Sequence, residues 1–384
     1  MRLAFLLAIL LACAAAWADD PGVPPFQGKA DARPTLDEEN RVWAEGDLAE
    51  RSLIKSGEVY PDPALNAYVQ GVMDRLFPEY GGMIRVKVIN DGSLNAFALP
   101  QGAVFVNMGL LARLENEAQL ATILAHEGSH FVFRHSYQNH QSAKNLSGFA
   151  LTVGIVGGGV GALLGSLTAI SSMSGFSQDM ERQADRQGYE RLKRAGYDVH
   201  ESVKVFQLLA DEVKALDIKE PYFFSSHPRL QERIDSFNAL IAKYDGRSGE
   251  VDEARYSAAT GGLRERWLQA QISEGKPKSV IHVLSNPAML HRYPPYAAYY
   301  LGEAYRLRGE EGDADKAEAA WRQAAAADPA FAPSYYALGV AAMKKHDWVK
   351  AHDYLTRYLT LAPNAQEAGY VRDYLETIGE KLKP

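Results

Sequence analysis

Cysteine is nearly absent from this sequence, since Cys13 is the one cysteine among 384 residues. A single cysteine excludes an internal disulfide and a metal cluster built from thiolates. A long cluster of lysine and arginine is also absent and the net charge is −7, which argues against nucleic acid as the main partner. The chain does have 47% hydrophobic and 23% charged residues, a balance typical of globular proteins. Its length is enough for about two or three domains.

The N-terminus has the three-part pattern of a secretory signal peptide. A positively charged start is followed by an uncharged, apolar run over residues 3–16, and a small-x-small cleavage site ends at Ala18. The apolar run, about fourteen residues, is shorter than the roughly 20 residues that span a bilayer. We predict a signal peptide at residues 1–18 and export of the mature chain. The second choice is lipoprotein processing at Cys13, because the residues before it resemble a lipobox.

The rest of the chain divides into an arm, a mixed region and a helical tail. Prolines indicate that residues 19–44 form an extended N-terminal arm. Helical patterns dominate residues 45–248, within which residues 83–89 alternate like a half-buried strand and residues 103–106 indicate a second short strand. Residues 254–384 show helical patterns throughout. The predicted fold class is therefore α+β, a mainly helical domain with a small β-sheet, followed by an all-α domain.

The helical tail contains a sequence repeat, with 34 residues from Pro329 to Pro363. This is the period of the tetratricopeptide repeat, and the first unit carries an insertion around residues 310–313. The alternative is an ordinary helical bundle. We predict a tetratricopeptide repeat domain at residues 254–384, whose concave face would bind a peptide or protein partner. The marker positions are Leu301, Gly302, Tyr305, Ala317, Trp321 and Ala324, then Leu338, Gly339, Ala351 and Leu355.

A long uncharged run interrupts the first domain between Lys144 and Asp179. Residues 148–173 are apolar enough to suggest a membrane span, but the glycines within them make a poor helix. A single crossing would also place the two halves of the site described next on opposite sides of a core about 30 Å thick. We therefore expect this segment to be buried, to form a hairpin, or to make peripheral contact with a membrane surface.

The chemistry lies in the HExxH sequence at residues 126–130. On a helix, His126 and His130 are one turn apart on the same face, so both imidazoles can bind one Zn²⁺. Glu127 sits at the edge of that face, where it can take a proton from water as the water attacks a peptide carbonyl. Gly128 costs a helix about 1 kcal/mol relative to alanine, and close packing beside the metal would explain its presence.

A third ligand has two candidates. His135 lies five residues past His130, about 140° further around a continuous helix, and is expected to point away. Glu181 would complete a His₂Glu site with the fourth position open, as catalytic zinc requires. Asp185, one turn further on, can orient a ligand histidine. Two carboxylates one turn apart usually lie on a solvent-exposed face of a helix. Because the chain also has an HExxH helix, we prefer to interpret this pair as part of a metal site.

Taken in order, these motifs resemble those of metallopeptidase family 48, which includes the CAAX prenyl proteases and the heat-shock protease HtpX. The sequence NAFALP at residues 95–100 precedes HExxH, a later ExxxD follows it, and Ser226-His227-Pro228 comes before Arg233. The resemblance covers about residues 45–240. The chain departs from the family pattern at Gln101, where a glycine is usual. A signal peptide before the peptidase domain and repeats after it resemble periplasmic members of the family.

The resemblance implies one Zn²⁺ per chain, a general base and a supporting carboxylate. It also implies that His227 lies on a loop before the metal, where it can occupy the fourth site and hold the enzyme latent. From the residues alone, a histidine before proline is usually structural. The family pattern also suggests that His227 could donate a hydrogen bond to the oxyanion instead. The implied residues are His126, His130 and Glu181 as ligands, Glu127 as base and Asp185 in support.

The leading hypothesis is a periplasmic zinc endopeptidase that hydrolyses misfolded or stalled envelope proteins in outer-membrane protein assembly. Its repeats would dock to unfolded outer-membrane proteins or to the β-barrel assembly machinery. One alternative is a non-catalytic chaperone or adaptor that acts through the repeats. Another is a membrane-bound protease retained by an uncleaved signal, a lipid on Cys13 or residues 148–173. We also predict that the strand at residues 103–106 binds substrate by edge addition.

Overall fold

The computed structural model describes residues 23–145, 176–216, 230–244 and 248–383. The predicted signal peptide with Cys13, the apolar segment at residues 148–173 and His227 lie outside the described residues. Within the described ranges, no helix combines the length and the apolar character that crossing a bilayer requires.

The described part of the first region is mainly helical around a small sheet, as the sequence predicts. Helix α1 begins at Asp37, so residues 37–44, which we assigned to an extended arm, are helical instead. The elements in order are α1 (Asp37–Lys55), α2 (Pro63–Leu76), β1 (Arg85–Ile89), β2 (Ala96–Ala98), β3 (Ala103–Asn107), α3 (Met108–Arg113), α4 (Glu117–Val132), α5 (His135–Asn145), α6 (Gln178–Ala195), α7 (Glu201–Leu216) and α8 (Leu230–Tyr244).

The tail is helical in every described element. Its helices are α9 (Glu253–Ser273), α10 (Pro277–Leu284), α11 (Pro287–Leu290), α12 (Ala298–Arg308), α13 (Asp313–Ala327), α14 (Ala332–Lys344), α15 (Trp348–Leu361) and α16 (Ala368–Leu382).

The sheet has the strand order β1-β3-β2, with β1 parallel and β2 antiparallel to β3. The two strands predicted from the sequence are confirmed as β1 and β3, whereas β2 was not predicted. Because β3 is paired on both sides, the prediction that residues 103–106 receive a substrate strand at a free edge is wrong. The strand order makes β2 an edge strand of the sheet.

Helix α4 carries the HExxH sequence through the middle of the core. Asn116 caps its N-terminus by accepting a hydrogen bond from the backbone N–H of Gln119 at 2.9 Å. Every residue of α4 is buried, and α2, β2 and α6 pack around it. Polar side chains on so deeply buried a helix require partners from these neighbouring elements.

Gly128 allows the end of α2 to approach the HExxH helix closely. A Cβ atom at Gly128 would lie 2.5 Å from the ring of Phe77, the residue that follows α2. The ring is also confined by Arg191, whose guanidinium lies 4.0 Å from the ring centroid. The expectation that Gly128 permits close packing beside the two histidines is confirmed.

Replacement of this glycine, Gly128→Ala, is expected to destabilise the protein. Alanine gains about 1 kcal/mol in helix propensity, but overpacking against the confined ring of Phe77 costs about 1–3 kcal/mol. The matched control is Gly71→Ala in α2, where a Cβ would meet nothing within 4 Å. Urea unfolding should show the control to be more stable than wild type by about 0.5–1 kcal/mol. Equal gains in the two variants would contradict the packing argument.

The first helix of the tail is part of the core of the preceding domain. The ring of Trp267 on α9 stacks on Arg113 with 3.5 Å between the guanidinium carbon and the ring centroid, and its Nε1–H donates to the carbonyl of Gly92 at 3.3 Å. The hydroxyl of Tyr256, also on α9, donates to the carbonyl of Leu111 at 2.6 Å. Buried residues from both regions form one contiguous cluster. The two predicted domains therefore share a core where they join.

Further along the tail, helices pack in successive pairs, α12 with α13 and α14 with α15. A Cβ at Gly302 would lie 2.4 Å from the ring of Trp321, and a Cβ at Gly339 would lie 2.6 Å from the side chain of Leu355. The two glycines thus permit the same close approach in both pairs, as their place in the sequence repeat predicts. Assignment of the pairs to the tetratricopeptide class stays a prediction.

Candidate metal centre

Two helices bring three metal-binding side chains to one point in the core. His126 and His130 extend from α4, and Glu181 extends from the first turn of α6. The two histidine Nε2 atoms are 3.0 Å apart, and the carboxylate oxygens of Glu181 lie 3.4 Å from Nε2 of His126 and 3.6 Å from Nε2 of His130. All three residues are buried. The structure therefore brings together the three ligands that the sequence predicts.

The spacing of these atoms fits a tetrahedral metal. Two donor atoms that each lie about 2.0–2.1 Å from Zn²⁺ at a tetrahedral angle are about 3.3 Å apart. The three observed separations, 3.0, 3.4 and 3.6 Å, lie on either side of that value. Two imidazoles and one carboxylate are also the donor set of catalytic zinc sites that keep a fourth position open.

Asp185 and Arg233 hold the first histidine in place. Asp185 lies one turn after Glu181, and its Oδ1 is 2.9 Å from Nδ1 of His126, which donates to it when Nε2 binds a metal. Arg233 on α8 donates to the same oxygen at 2.6 Å. Burial tends to raise the pKa of Asp185, but the charge of Arg233 and the hydrogen bond from His126 outweigh it and hold that pKa below its usual value. Asp185 therefore stays ionised and directs Nε2 of His126 towards the metal position.

Glu127 is fully buried beside the ligands. Burial, reinforced by the charge of Glu181, raises the pKa of Glu127 to about 8, although His126 and Arg233 act to lower it. The backbone N–H of Ala98 in β2 also acts to lower the pKa of Glu127. The predicted base thus lies between the metal ligands and the edge strand of the sheet. A bound divalent cation would favour the ionised form of Glu127, which is the form that accepts a proton.

The prediction that His135 points away from the site is wrong. It assumed that α4 continues past residue 132, but α4 ends at Val132 and Arg134 takes a left-handed conformation with φ 59°. The chain turns back there, and α5 begins at His135 with its imidazole against the second ligand. Nδ1 of His135 is 2.8 Å from Nδ1 of His130, and its Nε2 is 2.9 Å from Oε1 of Gln183. His135 is therefore a neighbour of the ligand set and not a member of it.

Three residues that were not predicted to lie around the ligands are placed there by the structure, namely Arg233, His135 and Gln183. Arg233 was noted only as part of a family motif, and that motif was its available signal in the sequence. Gln183 lies between the two carboxylates of ExxxD in the sequence, with no pattern to distinguish it. The predicted latency residue His227 lies outside the described residues, so its place relative to the ligands stays a prediction.

Two histidines one helical turn apart, an adjacent buried glutamate and a glutamate from a second helix define a metallopeptidase site of the HExxH type. Residues 61–241 match the model of peptidase family M48. The three ligands, the base and Arg233 lie within that range. This part of the chain is therefore similar to the M48 metallopeptidases.

The similarity to curated relatives covers part of each protein. The chain is 29% identical over 226 residues to the β-barrel assembly-enhancing protease of Yersinia pestis, covering 55% of this chain and 46% of the relative. The protein of the same name from Escherichia coli K12 is 28% identical over 235 residues, 58% of this chain and 47% of the relative. The mitochondrial metalloendopeptidase OMA1 of Saccharomyces cerevisiae is 32% identical over 170 residues, 41% and 47% of the two chains. The chain thus spans about half the length of these relatives.

Proposed function

We propose that this protein is an exported zinc endopeptidase that cleaves misfolded or stalled envelope proteins during outer-membrane protein assembly. The observation that carries the proposal is the convergence of His126, His130 and Glu181 beside the buried base Glu127. The names of the relatives from Yersinia pestis and Escherichia coli support β-barrel assembly as the context. Periplasmic location rests on the signal-peptide pattern of residues 1–18.

Each residue of the site has a separate role in peptide hydrolysis. Zinc bound by the three ligands would supply a Lewis acid that activates water and polarises the scissile carbonyl. Glu127 accepts the proton of the attacking water and passes it to the leaving amine. Asp185 and Arg233 keep the imidazole of His126 in one orientation, which fixes the position of the metal relative to Glu127.

We assign substrate binding to the outer edge of β2. One edge of β2 pairs with β3, and the strand order leaves the other edge unpaired among the residues that the structure describes. An extended peptide can add a strand to such an edge through main-chain hydrogen bonds. Since the backbone N–H of Ala98 at the end of β2 lies close enough to Glu127 to lower its pKa, a peptide on this edge would pass beside the base.

The proposal is tested with the mature chain from Asp19, loaded with zinc. An outer-membrane β-barrel protein is supplied either unfolded in urea-diluted buffer or folded in detergent. We expect cleavage of the unfolded form, little cleavage of the folded form, and none of either by the Glu127→Gln variant. Failure of the zinc-loaded wild type to cleave the unfolded form would overturn the endopeptidase assignment.

Export is tested by the mass of the protein recovered from cells that express the full sequence. A polypeptide beginning at Asp19 in the periplasmic extract is the expected result. A lipid-modified chain that begins at Cys13 in the membrane fraction would contradict cleavage after Ala18 and support lipoprotein processing. An intact N-terminus in the cytoplasmic fraction would contradict both.

A non-catalytic chaperone or adaptor is the second candidate, and the groove in the tail favours it. Helices α12, α13 and α14 enclose a groove of about 650 Å³. If the protein is such a chaperone, cells that express wild type and cells that express the Glu127→Gln variant should grow equally well. If it is an endopeptidase, cells that express the variant should grow less well. The aromatic side chains and the valine that line the groove are Tyr299, Tyr305, Trp321, Tyr336 and Val340.

A further inference from the structure

We propose that Gln183 and His135 form a neutral hydrogen-bond relay that fixes the tautomer of the zinc ligand His130. The relay runs from the amide of Gln183 through both ring nitrogens of His135 to Nδ1 of His130. It rests on the proposed zinc site and adds two positioning residues to it. Neither residue binds the metal in this arrangement.

The direction of each hydrogen bond follows from the first acceptor. Oε1 of Gln183 can only accept, so the 2.9 Å contact requires a proton on Nε2 of His135. A neutral His135 then has a lone pair on Nδ1, which accepts from Nδ1–H of His130 across 2.8 Å. With its proton on Nδ1, His130 presents a lone pair on Nε2, the atom that faces the other ligands.

The reverse direction is incompatible with metal binding. If the amide nitrogen of Gln183 donated to Nε2 of His135, the proton of His135 would move to Nδ1. Nδ1 of His130 would then have to accept, and Nε2 of His130 would carry the remaining proton in place of a metal. Only the orientation with Oε1 towards His135 leaves His130 able to bind zinc.

The chain turn that brings His135 back is itself held by buried contacts. Arg134, with its left-handed backbone, forms a buried ion pair with Glu39 of α1, and its Nε donates to Oε1 of Glu39 at 2.7 Å. Its guanidinium also lies 5.0 Å from the ring centroid of Phe26 in the N-terminal arm. The backbone N–H of Phe26 donates to the carbonyl of Val132 at 2.9 Å, so the arm is hydrogen-bonded to the C-terminal end of α4. The relay geometry is thus built into the fold.

The two histidine ligands are therefore oriented by different chemistry. Nδ1 of His126 lies 2.9 Å from Oδ1 of Asp185, a carboxylate that stays ionised beside Arg233. Nδ1–H of His130 donates to a neutral imidazole, which places no further charge next to the metal. One ligand is supported by a charged group and the other by a neutral relay, which limits the negative charge buried around the site.

The test compares Gln183→Leu, which removes the acceptor, with Gln183→Glu, which keeps an acceptor at the same position. Zinc dissociation constants are measured by competition with a chelating indicator. We expect Gln183→Leu to bind zinc about 10- to 100-fold more weakly and Gln183→Glu to bind at least as tightly as wild type. The matched control is Gln187→Leu, one turn further along α6, which should leave the dissociation constant unchanged.

A second measurement reads the tautomers directly in the metal-free protein. Long-range ¹H–¹⁵N correlation spectra should show His135 protonated at Nε2 and His130 protonated at Nδ1, with the fixed pattern of His135 lost in Gln183→Leu. A proton on Nδ1 of His135, or unchanged zinc affinity in Gln183→Leu, would overturn the relay. If wild type binds no zinc at all, the proposed function fails, while the spectra still decide whether the relay exists.

Discussion

The Glu127→Gln variant is expected to lose proteolytic activity while it keeps the fold and the metal. Removing a positioned general base lowers the rate of such reactions by about 10²- to 10⁴-fold. The amide of glutamine has nearly the same shape as the carboxyl group but cannot accept the proton of the attacking water. Because burial already disfavours the charged form of Glu127, replacing it by a neutral group should not lower the free energy of unfolding.

Cleavage of an unfolded protein such as casein, zinc content and thermal unfolding should be measured on the same preparation. Glu127→Asp is the informative companion, since it keeps a carboxyl group but shortens its reach and should retain part of the activity. Full activity in Glu127→Gln would exclude Glu127 as the base. Loss of zinc together with activity would show instead that the residue supports the metal.

The Glu212→Ala variant is expected to be strongly destabilised. Glu212 on α7 accepts hydrogen bonds from Nε of Arg113 at 3.0 Å and from its terminal nitrogen at 2.8 Å, and both residues are buried. Removing one partner of a buried ion pair leaves the other charge uncompensated, which costs about 3–5 kcal/mol. Because Arg113 also stacks on Trp267, the loss should loosen the junction between the first domain and the tail.

Urea unfolding followed by circular dichroism measures this loss. The matched control is Glu274→Ala, where the exposed pair with Lys276 should contribute within about 0.5 kcal/mol of zero. Replacing both buried partners by apolar residues, Arg113→Met with Glu212→Leu, should recover most of the stability. A Glu212→Ala protein within about 1 kcal/mol of wild type would contradict a role for the pair in joining the two regions.

The shared core also decides how the tail can be studied. Truncation at residue 254 would remove Tyr256 and Trp267, which contact Leu111, Arg113 and Gly92 of the preceding domain. Loss of function after such a truncation would report damage to the metallopeptidase domain as well as absence of the repeats. Substitutions inside the groove of α12, α13 and α14 separate the two effects.

The central helix and its ligands could be predicted because their spacing is local. His126 and His130 repeat at one helical turn, and Glu181 and Asp185 repeat in the same way on a second helix. A spacing of four residues fixes relative position on a helix without knowledge of the rest of the chain. The structure then brings the two local patterns together, as metal chemistry requires.

The errors occur where distant contacts decide the conformation. The sequence AFA of β2 contains no alternation of exposed and buried positions, because all three residues of that short strand are buried. The helix break before His135 has no glycine or proline to mark it. Its left-handed residue, Arg134, is held by Glu39, which lies almost one hundred residues earlier in the chain. Local sequence patterns do not contain that information.

Zinc content is the measurement that tests the account most directly. Elemental analysis of the mature protein from Asp19, purified without added metal, should give about one zinc per chain. Glu181→Ala should lose the zinc and keep its helical circular dichroism spectrum, whereas the exposed carboxylate variant Asp179→Asn on the same turn should keep the metal. Well-folded wild type without zinc, or Glu181→Ala that binds zinc as tightly as wild type, would contradict the His₂Glu site.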